Sequence, residues 1–150
     1  METSSGASLR LDTDPSLPLA PMNPLEIELV LLNLIRNAVE AGEGHVAISV
    51  GTMPCANGVR VAVRDNGRGM NKEQASHIFD PLFTTRRRQG GSGLGMSIAL
   101  GIVEAHQGHM EVVSQEGKGT TVTIDLPVAV GCLEPSGNQG QVIHGSSLNY

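Results

Sequence analysis

Asp65 stands at the end of a short apolar run, Val61-Ala62-Val63, and is followed by Asn66-Gly67-Arg68-Gly69-Met70. Apolar residues giving way to Asp-Asn-Gly and a second glycine read as a strand entering a tight turn. Glycine there lets another group approach the backbone closely. A carboxylate at such a strand end, facing a pocket, accepts a hydrogen bond from an amine, for example the exocyclic amine of adenine. Alone the motif is short and common, and a hairpin turn with a solvated Asp is the plainer reading. Three other groups of residues add to it. Asn33 and Asn37 lie four apart within an apolar helical pattern, although Asn is disfavoured inside helices. Their amide oxygens suit a cation or a phosphate-bound water, and two helix-packing amides are the bland alternative. Gly91, Gly93 and Gly95 directly precede a second helical pattern. Exposed N–H groups at a helix N-terminus favour a phosphate, where a simple glycine hinge would not. Arg86, Arg87 and Arg88 come just before these glycines. A guanidinium there reaches a β- or γ-phosphate, or the run is merely solvated.

The elements that hold these residues are legible from period and punctuation. Leu9 to Asp12 alternates and predicts a half-buried strand. Asn23-Pro24 opens a helix that runs to about Ala41 and ends at Gly42. Ile27, Leu31, Leu34, Ile35 and Ala38 form its core stripe, with Asn33 and Asn37 on a different face. His45 to Thr52 predicts a strand, Met53 to Gly58 a hairpin loop, and Val61 onward the strand that carries Asp65. Asn71 to Phe79 is a short helix and Asp80 to Ser92 a long irregular stretch of the kind that is usually functional. Leu94 to about Gln107 is a helix whose apolar spacing is Leu94, Ile98, Ile102 and Ala105. Met110–Ser114 and Thr120–Leu126 are strands joined by the Gly117-Lys118-Gly119 turn. Residues 1–7 read as a frayed end and 128–150 as a flexible Gly/Ser/Asn/Gln-rich tail, which leaves one domain over 8–127.

Composition narrows the classes. The chain has 150 residues, 39% of them apolar and 17% charged, enough for one domain with a real core. Aromatics are only 2%, so the core is aliphatic, and so few aromatics argue against a base-stacking nucleic-acid surface. A net charge of −5 argues against nucleic acid and anionic membranes as partners. Cys55 and Cys132 lack metal spacing and read as free thiols in a reducing, cytoplasmic setting. No leader-like N-terminus and no apolar run of about 18 residues is present in the sequence.

Four stretches, in this order, resemble the nucleotide-binding domain of sensor histidine kinases, within the gyrase–Hsp90–histidine kinase–MutL ATPase superfamily. Residues Asn33 to Ala41 resemble the N box, Asp65 to Met70 the first glycine box, Ile78 to Thr85 the F box, and Gly91 to Ile98 the second glycine box. The wording of the boxes is most similar to the nitrogen- and oxygen-sensing branch. The resemblance implies a Bergerat-type ATP-binding fold: a two-layer α/β sandwich with a mixed, mostly antiparallel sheet and helices on one face. It implies ATP and Mg²⁺ as cofactors, with Asn37 as metal ligand and Asn33 beside the γ-phosphate. Arg36 would lie near the phosphates, and Asp65 would accept from the adenine amine. Gly67, Gly69, Met70 and Ile78 would line the base. The segment from Phe79 to Ser92, including Thr85, would be the ATP lid, with Arg86 the first choice for the γ-phosphate. Gly91, Ser92, Gly93, Leu94 and Gly95 would wrap the phosphates. Thr121 or Thr123 would hold the water shared by Asp65 and adenine, with the choice between them open.

Two positions depart from the family pattern. Glu40 stands where many members carry a basic residue. None of the five histidines (His45, His77, His106, His109 and His144) lies in a phosphoacceptor pattern, and only about 23 residues precede the first helix. The resemblance therefore implies the catalytic half of a kinase, an excised monomer. The acceptor histidine would reside on a dimerisation segment outside this chain, with a response regulator downstream. Autophosphorylation by this chain alone should be weak or absent. A stand-alone serine kinase of the anti-sigma-factor type and a degenerate nucleotide-binding module are the alternatives.

Overall fold

The computed structural model describes residues 6–83 and 93–128. Eight elements follow in order: β1 (Ala7–Asp12), α1 (Pro24–Glu40), β2 (Val46–Cys55), β3 (Gly58–Asp65), α2 (Lys72–Ser76), α3 (Gly95–Ala105), β4 (His109–Gln115) and β5 (Gly119–Pro127). The strands form one sheet in the order β1-β2-β3-β5-β4. β1 pairs parallel with β2, and every other pair is antiparallel. α1 supplies the crossover that the parallel pair requires. The helices α1 and α3 pack against each other and cover one face of the sheet, giving the expected two-layer α/β arrangement.

The core is aliphatic, as the composition requires. It joins Ile27, Val30, Leu34 and Ala38 of α1 to Met96, Ala99 and Val103 of α3. Beneath them lie Val46, Ile48, Val50, Val63, Val122, Ile124 and Leu126. α1 starts as its sequence dictates: Asn23 Oδ1 accepts from the N–H groups of Leu25 and Glu26, and Pro24 occupies the first helical position.

Several expectations are corrected. β1 begins at Ala7, and each of its residues is exposed rather than half-buried. It is an edge strand, and α1 lies over β2 and β3 instead. The expected loop from Met53 to Gly58 is mostly strand: β2 continues to Cys55, and Ala56-Asn57 alone makes the turn to Gly58. Pro54 is tolerated because β1 pairs only as far as Gly51, which leaves this part of β2 as an edge. α2 stops at Ser76, although Asn71 caps it as expected in a reciprocal box with Gln74. α3 turns a different face inward. Ile98 is 46% exposed and Leu94 is exposed, while Met96, Ala99 and Val103 are buried. The helix is apolar on nearly every side, so spacing alone does not select its core face.

Candidate functional site

The last turn of α1, the turn after β3, the start of α3 and the inner faces of β4 and β5 enclose a cavity of about 730 Å³. That lies within the range of small-ligand sites, roughly 300–1,000 Å³.

Asp65 forms part of its wall. The residue is 8% exposed and is the sole buried charged residue among those described. Its Oδ1 accepts from Gly67 N at 2.8 Å and from Thr120 N at 3.3 Å. Burial pushes the carboxyl pKa up, and these two N–H groups pull it partly back.

The 66–70 turn is fixed to both sides of the cavity. Arg68 N donates to Ala41 O at the end of α1 (2.9 Å), and Met70 N donates to Ser114 Oγ on β4 (2.9 Å). Gly117 N, in the β4–β5 turn, donates to Arg68 O at 2.7 Å. Gly67 has no room for a side chain, because a Cβ there would lie 2.6 Å from Ala41 O. Asn66 Oδ1 accepts from Ala47 N at 2.8 Å and so ties the turn to β2 as well.

At the other end of the cavity stand Asn33, Arg36 and Asn37 of α1. Their four-residue spacing puts both amides on one side of the helix, next to the stripe that packs on the sheet. Arg36 Nε pairs with Glu40 Oε1 at 3.1 Å, an exposed i,i+4 pair worth little to stability. Glu40, the departure from the family pattern, thus sits on the rim of the same cavity and partly neutralises Arg36. α3 begins at Gly95 with no side-chain cap at Leu94, so N–H groups of its first turn remain available to an anion. A methyl group added to Gly95 would lie 3.5 Å from Asn33 Oδ1, so the amide and the uncapped helix start are neighbours.

The F-box residues join these parts. Ile78 and Phe79 pack on the core. His77 Nδ1 meets Asp80 Oδ2 at 2.7 Å. Leu82 takes a positive φ of 67° and donates its N–H to Gly93 O at 3.0 Å. The chain thus arrives at residue 83 and leaves at residue 93 from almost the same place.

Ten of the sequence-predicted site residues line this one cavity: Asn33, Arg36, Asn37, Asp65, Gly67, Gly69, Met70, Ile78, Gly93 and Gly95. Leu94 does not line it. Thr85, Arg86, Gly91 and Ser92 lie outside the described residues, as do Arg87, Arg88 and the tail from residue 129. Thr121 stands on the other face of the sheet, where its Oγ1 accepts from Arg64 Nε at 3.3 Å. Thr123 shares that face, two residues on. The threonine in the cavity wall is Thr120, whose Oγ1 is 2.7 Å from Ser114 Oγ. Strand alternation made the face of Thr121 and Thr123 depend on the register after the turn, and that register was not readable from the sequence. Ala41 and Ser114 were also missed, because their contributions are a backbone carbonyl and a hydroxyl with no motif of their own. No cluster of three or more His, Cys, Asp or Glu suited to a metal exists among the described residues. No helix among them is long and apolar enough to cross a membrane.

A helix-covered mixed sheet with a buried Asp at a glycine turn, opposed by paired Asn on a helix, defines an ATP-binding sandwich. The chain belongs to the histidine kinase-, DNA gyrase B- and HSP90-like ATPases, whose sequence pattern matches residues 22–130. Within that family it is 41% identical over 129 residues to the sensor histidine kinase ZraS of Escherichia coli (strain K12), covering 86% of this chain and 27% of that protein. It is 38% identical over 141 residues to the sensory histidine kinase/phosphatase NtrB of Klebsiella oxytoca, covering 85% of this chain and 39% of that protein. The chain therefore spans well under half the length of these relatives. Among solved structures, the catalytic domain of histidine kinase ThkA is similar with a TM-score of 0.70 and 30% identity, covering 81% of this chain and 80% of that one. The fold is that of histidine kinase catalytic domains.

Proposed function

We propose that this chain binds Mg·ATP in the cavity and presents the γ-phosphate to a histidine on a dimerisation segment of a sensor kinase. The observation that carries the reading is Asp65: a buried carboxyl held by two backbone N–H groups through Oδ1, facing a cavity whose far end carries paired amides and an uncapped helix start. Asp65 accepts from the adenine amine, with Thr120 in the wall beside it. Gly67 and Gly69 let the base lie against the backbone. Asn33, Gly93 and Gly95 surround the phosphates.

The donor set fits the metal. Mg²⁺ takes few protein ligands, all oxygen, alongside phosphates and waters, and Asn37 offers one amide oxygen at the phosphate end. Bound there, the ion would neutralise phosphate charge. The chain's own contribution is to orient the nucleotide and leave its γ-phosphate accessible. Arg86 is the proposed γ-phosphate cation. A response regulator is the proposed next acceptor, and the acidic composition with its unpaired thiol pattern supports a cytoplasmic setting. The serine-kinase alternative stands behind this reading, because the relatives are sensor histidine kinases.

Calorimetric titration of ATP and ADP, with and without Mg²⁺, tests the pocket. Micromolar binding is expected, reduced in Asp65→Asn by about tenfold or more, since a lost charge-assisted acceptor costs on the order of 1–3 kcal/mol. Asn37→Ala should weaken ATP binding in Mg²⁺ and leave the metal-free affinity nearly unchanged. Phosphate transfer from labelled ATP should appear only when an acceptor-histidine segment is added. Robust labelling of the chain alone would overturn that part.

A further inference from the structure

Among the described residues no helix covers the second face of the sheet, and that face holds a row of side chains which the nucleotide reading does not use. Register places Arg10 of β1 opposite Ser49 of β2, Ser49 opposite Arg64 of β3, and Arg64 opposite Thr121 of β5. Successive side chains along a strand alternate faces. Leu9, Ile48, Val63 and Val122 therefore point to the helix side, and Arg10, Ser49, Arg64 and Thr121 to the open side. Lys118 joins them from the β4–β5 turn. A cleft of about 610 Å³ runs along this row, lined by Ser8, Arg10, Ser49, Arg64, Lys118 and Thr121.

Among the described residues, no ion pair involves Arg10, Arg64 or Lys118, and the one side-chain bond made by Arg64 goes to the neutral Thr121 hydroxyl. Arg60 lies four residues earlier on the same strand and face. It is bound bidentately by Asp125, at 2.6 and 2.7 Å. The sheet thus neutralises one arginine of this face and leaves its neighbour open, in a chain whose net charge is −5. Ser49 is short, so a slot remains between the two open guanidiniums. With strands roughly 4.8 Å apart, the two arginines stand about 10 Å apart across it. That spacing falls between the same-face carboxylates of an extended chain, which stand about 7 Å apart at two residues and about 13 Å apart at four, a gap that flexible arginine side chains span.

We propose that this face docks an acidic segment of a partner protein across Arg10, Arg64 and Lys118. Guanidinium forks bind carboxylates bidentately, and the serine and threonine hydroxyls of the row complete the polar lining. Arg64 and Thr121 adjoin Asp65 and Thr120 in sequence and face away from the nucleotide cavity, while the cleft and the cavity share Asp65, Asn66 and Thr120 in their linings.

The test uses this 150-residue chain and a fluorescent Asp/Glu-rich peptide, with an Asn/Gln counterpart of equal length as control, read by anisotropy at several salt concentrations. The acidic peptide should bind with an affinity that falls as salt rises. The Arg10→Ser/Arg64→Ser variant should lose at least tenfold. Lys72→Gln, which removes one positive charge from the exposed α2, should change little. Thermal melting and ATP titration of the double variant should match the unsubstituted chain, which shows that the loss is not unfolding. Equal binding of both peptides, or equal acidic-peptide affinity for both proteins, would overturn the proposal. Tighter, Arg64-dependent binding of inorganic tripolyphosphate, or of anionic vesicles, would also overturn it by assigning the row to a phosphate ligand or a lipid surface.

Discussion

The backbone N–H of Asn23, the residue that caps α1, donates to Nε2 of His106 at the end of α3 (3.0 Å). Since Nε2 accepts, Nδ1 carries the proton and donates to Ile102 O at 2.8 Å. One imidazole thus ties the start of one helix to the finish of the other. Further along the same pair of helices, Asn33 meets Gly95. His106→Ala removes both bonds, and a lost bond of this type costs about 1–2 kcal/mol. The urea midpoint should fall with an unchanged m-value. An unchanged midpoint would show that the imidazole bridge contributes nothing.

Asp65 is expected to trade stability for binding. Its pKa is raised, chiefly by burial. For a carboxyl shifted upward, the stabilising term is full below the ordinary value of about 3.9 and is lost as pH rises through the folded value. Asp65→Asn carries no ionisation there. Its melting temperature relative to the unsubstituted chain should therefore be higher at pH 7 than at pH 4, even as nucleotide binding is lost. A difference in melting temperature that does not vary with pH would contradict the assigned desolvation.

Gly119 adopts φ = 103°, and a Cβ there would lie 2.0 Å from Asp65 O. Gly119→Ala should cost more than about 2 kcal/mol and weaken ATP binding, because Asp65 must move. Gly44 also has a positive φ, of 96°, but with nothing within 4 Å of an added Cβ. Gly44→Ala should show only the backbone cost, about 1–2 kcal/mol, and keep its ATP affinity. Equal losses in the two variants would mean that the close approach to Asp65 does not matter.

The Arg60–Asp125 pair crosses from β3 to β5 on the open face. The hydrogen bond from Arg60 holds the Asp125 carboxyl below its usual value, against partial burial. A lowered carboxyl pKa gives stability that is present above the ordinary value and is lost as pH falls through the folded one. Arg60→Met should therefore melt below the unsubstituted chain at pH 7, with the gap narrowing toward pH 3. A gap that widens in acid would rule out the ion pair as its source.

The sequence was most readable where chemistry and punctuation coincided. Asn23-Pro24 and Gly42 bracket α1, and its polar pair Asn33/Asn37 stands out because Asn belongs poorly inside a helix. Asp65 was identifiable from the glycines that follow it. What escaped was whatever depended on long-range register. Thr120 and Thr121 are adjacent and chemically alike, and only the pairing of Thr121 with Arg64 settles which one faces the cavity. In α3, Ile98 and Ala99 are both apolar, and it takes contact with α1 and the sheet to bury the second and expose the first. Pro54 suggested a loop because its position on an edge, paired with β3 but beyond the end of β1, is a property of β1, more than forty positions earlier.

The hydrogen bond from Thr120 to Asp65 also has a bearing on how the chain assembles. β2 with β3, and β4 with β5, are hairpins of near neighbours, quick to form. The β3–β5 pairing closes a far longer loop and belongs to the slow part of the search. Asp65, the proposed adenine acceptor, lies on that seam, with its carboxyl contributed by one hairpin and its second N–H donor by the other. A nucleotide that binds only the joined halves acts as a clasp. At a hundred times its dissociation constant it adds about 2.7 kcal/mol to the closed form, and it does so where the two halves would otherwise part.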